Sequence, residues 1–278
     1  MAQESAIISL REWLNSPAGR YLLAWEKAQL DHSVADVFGF HALQLGLPEL
    51  DALQANRMPY RWLASDGSSD SVTHAFDEAA EGSVLQRRAV ALHCDFDALP
   101  FAAHSLDLVV LPHTLELSRD PHLTLREVER VLVPEGRVVI VGLNPASLWG
   151  LRQQLGRWNR RLTFNRHRGL FLPGQGEFIN YWRLRDWLRL LSFEVEAGQF
   201  GCYRPPFGSE RWLSHFGWME RAGERWWPVL GAVYFLVAVK RVRGMRLIGL
   251  RKGARAKAQS APAVVANKHK VKDEACSE

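Results

Sequence analysis

The residues best suited to acid–base chemistry are a histidine and a glutamate three positions apart. His113 and Glu116 end an apolar segment, in the stretch LPHTLE at 111–116. An imidazole can take up a proton near neutral pH, and a neighbouring carboxylate can hold it in one orientation. The pair predicts a site that transfers a proton or positions a ligand. The alternative is a histidine hydrogen-bonded to backbone where a strand meets a helix.

Other polar side chains also stand directly after apolar segments. Asp66 lies 20 positions after Gly46, which is the spacing at which parallel sheets place a ribose-binding acid. The alternative is an ordinary loop aspartate, and Glu49 or Asp51 are candidates to bind a ribose or an ammonium group instead. Asn144 can donate and accept hydrogen bonds on the substrate side, or it serves only as a turn and helix cap.

The cysteines do not indicate a metal centre or a disulfide framework. Cys94, Cys202 and Cys276 are too widely spaced for a thiolate cluster. We therefore expect no metal.

The elements before these residues are predicted to bring them together. Strand-like segments alternate with helix-like segments, which predicts a parallel sheet covered on both faces. Ligands bind such sheets beyond the carboxyl ends of the strands. The predicted strands are HALQLG, RWLAS, RRAVALHCD, SLDLVVLP, RVVIVGL, a segment from about Phe193, and AVYFLVAVKRV.

Three helices stand out between the strands. The first runs from Ser16 to Asp31, capped by Ser16. The second, in DPHLTLREVERVLVPEG, has Leu125, Val128 and Leu132 on one face and is stopped by Pro134. The third is NYWRLRDWLRLL.

The stretch from 95 to 145 resembles the class I S-adenosylmethionine-dependent methyltransferases, particularly the methyltransferase type 11 group. The matching pieces are DFDALPF, SLDLVV, REVERVLVPEGRVVI and a last strand before a basic end, spread in the family's order over roughly 35–241. The resemblance implies a Rossmann-like α/β fold with helices on both faces of a seven-stranded mixed sheet, its last strand antiparallel. It also implies a methyltransferase that uses S-adenosylmethionine and no metal.

The resemblance also implies which residues contact the cofactor. Asp95 and Phe96 would hold the adenine, and Asp66 the ribose. Pro112 and His113 would lie near the transferable methyl group. His113 and Asn144 are the catalytic candidates, although methyl transfer is an in-line displacement for which positioning alone can provide much of the rate.

The glycine-rich motif of the family is altered here. Where the family has an acid and then three glycines spaced two apart, this chain has Gln44, Gly46, Pro48 and Leu50. Glycines there allow backbone to approach the ligand and turn tightly. Pro48 removes an amide donor, and Leu50 is expected to add bulk near the methionine part of the ligand. The turn can still form if Pro-Glu-Leu-Asp begins a helix.

Charge is unevenly distributed along the chain. Residues 1–149 carry a net charge of −9, residues 150–172 hold six arginines and no acid, and residues 240–278 carry +8. Arginines interleaved with aromatic residues, as in the inserts at about 150–176 and 203–227, can hold phosphates and stack bases. The favoured interpretation is a lid packed on the core with its arginines in water, and the favoured acceptor is a small molecule. The alternative partner is a nucleic acid or another polyanion.

We predict three regions: an N-terminal helical segment at 1–34, a methyltransferase-like domain at 35–243, and a basic disordered tail at 244–278. The N-terminus does not resemble a secretory signal, and the longest apolar run, 229–239, is too short to span a bilayer. We therefore expect a cytoplasmic methyltransferase of unknown acceptor. The alternatives are a non-catalytic methyltransferase-like binding protein and a methyltransferase that modifies nucleic acid.

Overall fold

The computed structural model describes residues 13–66, 89–162, 172, 178–207 and 209–241. Seven α-helices, a 3-10 helix at Pro228–Leu230 and seven strands lie in these ranges. The helices are α1 (Pro17–Ala35), α2 (Thr114–Leu117), α3 (Pro121–Val131), α4 (Leu148–Leu162), α5 (Tyr181–Leu190), α6 (Glu210–His215) and α7 (Trp218–Trp226). The strands are β1 (His41–Leu45), β2 (Tyr60–Ser65), β3 (Leu92–His93), β4 (Leu106–Pro112), β5 (Leu132–Leu143), β6 (Phe193–Gly201) and β7 (Val233–Lys240). The predicted tail at 244–278 lies outside the described residues.

The strands form one sheet in the order β3-β2-β1-β4-β5-β7-β6. Strands β1 to β5 pair in parallel, and β7 runs antiparallel to both β5 and β6. The strand order reverses at β1, because β2 and β3 are added on one side of it and β4 and β5 on the other. The predicted seven-stranded mixed sheet with an antiparallel last strand is confirmed. The carboxyl ends of β1, β3, β4 and β5 therefore meet at one edge.

Local sequence accounts for the helix starts. The Ser16 hydroxyl accepts a hydrogen bond from the Gly19 amide at the start of α1, and Pro17 occupies the first position. The Asp120 carboxylate accepts from the amides of His122 and Leu123 at the start of α3. Each side chain satisfies an amide that has no partner within its helix.

The boundary between α3 and β5 differs from the prediction. The helix ends at Val131, and Leu132 is already the first residue of β5. Leu132 pairs with Leu106 of β4, before a shift in register at Leu108. A proline disfavours helical backbone in the residue that precedes it, so Pro134 holds Val133 in the extended conformation and the helix cannot reach it.

Two other segments also depart from prediction. β3 has only two residues, although the sequence predicted a strand along RRAVALHCD, part of which lies outside the described residues. After β1, residues 48–55 form turns instead of a helix. The physical reason for these turns is the side chain of Gln44, described below.

Two buried clusters cover the two faces of the sheet. Alternate residues of each central strand belong to different clusters, as the two-residue period of a strand requires. One cluster joins the sheet to α1, and its members include Leu22, Leu30, Ala42, Val110, Val139, Trp149 and Leu213. The other joins the opposite face to α3 and α5, and its members include Leu43, Val109, Leu125, Val128, Ile140, Leu184 and Leu188.

Candidate active site

The turn after β1 is tight and left-handed. Gly46 has a φ of 75° and Leu47 a φ of 46°. The Gly46 amide donates to the Ala64 carbonyl at 2.8 Å, which ties the turn to β2. A side chain at Gly46 would be strained by its backbone conformation. The turn therefore retains the one glycine whose conformation it requires.

Gln44 braces this turn from below. Its Nε2 lies 3.1, 3.0 and 2.7 Å from the carbonyl oxygens of Gly46, Leu47 and Leu50. Its Oε1 accepts from the Ala52 amide at 3.0 Å. These bonds occupy the loop carbonyls, which accounts for the turns where a helix was predicted. The structure directs Gln44, a predicted cofactor residue, at the loop backbone.

Leu50 and Phe96 pack on different sides of the turn, in different core clusters. Leu50 is buried in the same core cluster as α1, whereas the sequence placed its bulk beside the ligand. Phe96, from the loop after β3, brings two ring atoms to 3.8 and 3.9 Å from the position that a Cβ on Gly46 would occupy. Thr114 places its hydroxyl oxygen 3.6 Å from that position. The ends of β1, β3 and β4 thus converge around Gly46.

Two predicted carboxylates lie near the ends of β2 and β3. Burial raises the pKa of Cys94 to about 11, with further increases from the charges of Asp95 and Asp66. Both carboxylates therefore lie close enough to Cys94 for their charges to raise the pKa of its thiol. Asp95 is exposed and Asp66 half-buried. Asp97 instead accepts a hydrogen bond from the Thr124 hydroxyl at 2.9 Å, which joins the loop to α3.

His113 lies between two glutamates directly after the end of β4. Its Nε2 is 2.7 Å from Oε1 of Glu26, which belongs to α1. Its Nδ1 is 3.0 Å from Oε2 of Glu116. The second oxygen of Glu116 accepts a hydrogen bond from the Leu143 amide at the end of β5. All three ionisable side chains are buried. We name Glu26, His113 and Glu116 the buried triad.

The triad favours a protonated histidine. Burial alone lowers the pKa of His113, but the charge of Glu26 and the hydrogen bonds to Glu116 and Glu26 outweigh it and raise the pKa to about 10. Burial raises the pKa of Glu116, and its contacts with His113 oppose that change. At neutral pH His113 is an imidazolium whose two N–H groups both have carboxylate partners. It is therefore unsuited to act as a general base at that pH.

Backbone geometry at His113 is unusual. Its φ of 54° is in the left-handed region, which few residues other than glycine adopt. The residue caps α2, and its amide donates to the Val141 carbonyl at 2.9 Å. Such strained positions cluster at functional sites, where surrounding contacts hold them in place.

Asn144 lies at the same edge, but its side chain is engaged with backbone. Its Nδ2 donates to the carbonyls of Val229 and Gly231 at 2.8 and 2.9 Å. Its Oδ1 accepts from the Ala146 amide at 3.1 Å. The residue joins the start of α4 to the turn before β7. In this conformation both donors and the acceptor of its amide group are engaged with backbone.

Glu26 was missed by the sequence reasoning. It lies four residues after Leu22 and four before Leu30, on the buried stripe of α1. A carboxylate at that spacing is the signal that could have found it, because burying a charge without a partner is costly. One of its oxygens, Oε2, has no hydrogen-bond partner among the described residues.

The remaining features lie away from this edge. An open cleft with a volume of about 590 Å³ lies near the amino ends of β4 and β5, lined by residues that include Asp107, Glu135, Arg137 and Arg241. Within the described ranges, no group of three His, Cys, Asp or Glu side chains is placed to hold a metal ion. None of the helices in the part of the chain that the structure describes is long and apolar enough to cross a membrane.

Comparison with known proteins assigns the family. Residues 48–140 match the family model described as "Methyltransferase domain". The uncharacterized protein YafS of Escherichia coli (strain K12) is 30% identical over 229 residues, covering 82% of this chain and 80% of that protein. A solved methyltransferase in complex with the Haloferax volcanii Trm112 methyltransferase activator superposes with a TM-score of 0.53 and 16% identity, over 85% of this chain and 97% of that one.

The chain belongs to the class I S-adenosylmethionine-dependent methyltransferases. The family predicted from the sequence is thereby confirmed, together with its sheet. A further methyltransferase, malonyl-[acyl-carrier protein] O-methyltransferase of Alcanivorax borkumensis, is 33% identical over 128 residues, or 45% of this chain and 42% of that protein. The family assignment leaves the acceptor open.

Proposed function

We propose that this methyltransferase binds S-adenosylmethionine over the ends of β1 to β4 and methylates a small molecule. The observation that carries the proposal is the buried triad directly after β4, at the edge where parallel sheets bind ligands. Burying three ionisable groups is costly, and the hydrophobic core does not require them. Perturbed ionisable groups of this kind are concentrated at functional sites.

The residues at the edge have the chemistry that the cofactor requires. Gly46 supplies the left-handed turn, Asp66 a carboxylate for ribose hydroxyls, and Asp95 an exposed carboxylate for the adenine amine. Phe96 supplies an aromatic face, and Pro112 and His113 border the reacting end. When bound, S-adenosylmethionine supplies a methyl group on a positively charged sulfur.

We assign the buried triad a positioning role. It brings the side chains of Glu26 and Glu116 against the imidazole directly after β4, and so fixes the backbone that borders the reacting end of the cofactor. Glu26 also fixes α1 over the end of β4, so the acceptor side of the site depends on this contact. The catalytic candidates, His113 and Asn144, are thereby interpreted as residues that give the site its shape. Proton removal from the acceptor is left to solvent or to the acceptor itself.

Calorimetry tests the cofactor site directly. S-adenosylhomocysteine, the expected product, is titrated into the wild-type protein and into Asp95→Ala, with Asp186→Ala as the matched control. Asp186 is an exposed carboxylate on α5, away from the edge. Binding by wild type and control, weakened in Asp95→Ala, supports the site. Equal binding by all three would place the ligand elsewhere.

A non-catalytic binding protein is the second candidate. The altered glycine-rich motif favours it, because Pro48 and Leu50 stand where the family has glycines and Pro48 has no amide to donate to a ligand. Complete absence of S-adenosylhomocysteine and S-adenosylmethionine binding by the wild-type protein would support this candidate and refute the proposed activity. If binding occurs without turnover of any small molecule, a nucleic-acid acceptor becomes the hypothesis to test. We expect a cytoplasmic location for all of these functions.

A further inference from the structure

Helix α4 presents a row of large apolar side chains to solvent. Leu148, Leu151, Leu155 and Trp158 are exposed by 45, 52, 53 and 64%. Their spacing of three, four and three residues puts them on one side of the helix. We name these four residues the outward stripe. Helices at the surface of a globular protein normally turn such a stripe towards the core.

The opposite side of α4 is anchored to the body. Trp149 is buried, and its indole Nε1 donates to the Arg204 carbonyl at 2.7 Å. The amide side chain of Gln153 exchanges hydrogen bonds with the backbone of Leu172 at 3.1 and 3.0 Å. These bonds fix the rotation of the helix. Specific contacts therefore hold the leucines outward, where they expose apolar surface that water disfavours.

More exposed apolar side chains lie beside the start of this helix. Asn144, just before α4, donates to the Val229 and Gly231 carbonyls. Val229 and Leu230 are exposed, and they follow two exposed tryptophans, Trp226 and Trp227. Exposed apolar residues grouped in this way mark interaction surfaces. This surface lies at the same edge of the sheet as the buried triad.

Charge indicates the chemistry of the partner. The sequence of α4 contains four arginines and no acid, and no Asp or Glu follows it up to residue 172. Helices that lie on membranes combine leucine and tryptophan on one side with basic residues on the other. Anionic headgroups attract the arginines, and the acyl region accepts the apolar side chains.

We propose that α4 and the neighbouring residues 226–230 bind the surface of an anionic lipid bilayer, with the outward stripe inserted at the headgroup boundary. A second copy of the chain fits less well, because a two-fold contact would bring this basic helix against itself. A nucleic acid would use the arginines but would leave the leucines without a role. The proposal does not depend on methyl transfer, although it directs the candidate site towards the membrane.

Vesicle sedimentation with the full chain tests the proposal. The probes are vesicles of phosphatidylcholine alone and of phosphatidylcholine mixed with phosphatidylglycerol. The variant is the triple change Leu151→Gln, Leu155→Gln and Trp158→Gln. Its control is Leu190→Gln, which replaces a residue of α5 that is 83% exposed. Circular dichroism and urea unfolding check that each variant folds as the wild type does.

We expect wild type and control to sediment with the anionic vesicles. The triple variant should bind at least about tenfold more weakly, because each partly buried apolar side chain contributes to the affinity. Unchanged binding of the triple variant would show that charge alone, including that of the tail, holds the protein, and would overturn the proposal. The proposal would also be overturned if the wild type bound no vesicles but formed a dimer that the triple variant abolished. That result would indicate self-association. Binding to an RNA or DNA duplex but not to vesicles would overturn the proposal and indicate a nucleic-acid partner.

Discussion

The imidazole of His113 contacts the carboxylate of Glu26 at 2.7 Å, although the two residues are 87 positions apart. The contact joins the end of the central strand β4 to the N-terminal helix α1. Because both side chains are buried, neither can exchange its partner for water. Loss of either side chain would therefore leave the other buried without this partner, so the fold and the candidate site both depend on the contact.

Replacing Glu26 should change how stability depends on pH. The pKa of His113 is raised from 6.5 to about 10 in the folded protein. Its protonation therefore stabilises the fold fully below 6.5, and this contribution is lost as the pH rises through about 10. In Glu26→Gln the decline over this window should be smaller, and the free energy of unfolding at neutral pH should fall by about 3–5 kcal/mol.

Urea unfolding across that pH range measures both effects. Glu210→Gln is the control, because it makes the same change at the exposed start of α6. Each variant is compared with the wild type at every pH, so that the contribution of the other titrating groups cancels. If both variants show the wild-type pH dependence, the triad does not titrate as described.

Asp95 and Asp66 should both contribute to binding of S-adenosylhomocysteine. Asp95→Ala and Asp66→Ala are each expected to weaken binding by about 1–3 kcal/mol, the cost of leaving a hydrogen-bonding group of the ligand unpaired. Calorimetry against wild type and Asp186→Ala measures the difference. An effect at only one of the two positions would restrict the site to that strand end.

The two unusual residues of the glycine-rich turn should behave differently. Pro48→Gly should preserve or improve affinity for S-adenosylhomocysteine, at a stability cost of about 1 kcal/mol from added freedom in the unfolded chain. Leu50→Ala should instead lower the free energy of unfolding by about 2–5 kcal/mol, because Leu50 is in the core. Calorimetry and urea unfolding on both variants test this. A stable Leu50→Ala variant with improved affinity would indicate that the Leu50 side chain lies beside the ligand and not in the core.

Gln44→Glu restores the acid of the family pattern but should destabilise the protein. A carboxylate cannot donate to the carbonyls of Gly46, Leu47 and Leu50, and it would bury a charge against their oxygens. We expect a loss of about 3 kcal/mol or more in urea unfolding. The control is Gln54→Glu at an exposed position of the following turn. Equal stability of the two variants would contradict the bracing role of Gln44.

Strand periodicity was sufficient to predict most of the sheet. The alternation of apolar segments with amphipathic helices identified the strand ends after β1, β3, β4 and β5, and these ends meet at one edge. The helix before Pro134 was predicted too long, because a proline also disfavours helical backbone in the residue that precedes it. The turn after β1 could not be predicted, because it depends on which backbone atoms one amide side chain reaches.

The sequence by itself determined the order of the elements, the family and the presence of His113 and Glu116 at one strand end. Burial repeats every two residues in strands and every three to four in helices, so each local window contains that information. Only the tertiary structure decided that Glu26 completes the triad, that Gln44 and Asn144 bind backbone, and that the apolar side of α4 faces outward. Those outcomes depend on contacts between distant segments and on how one helix is rotated, which no local pattern contains.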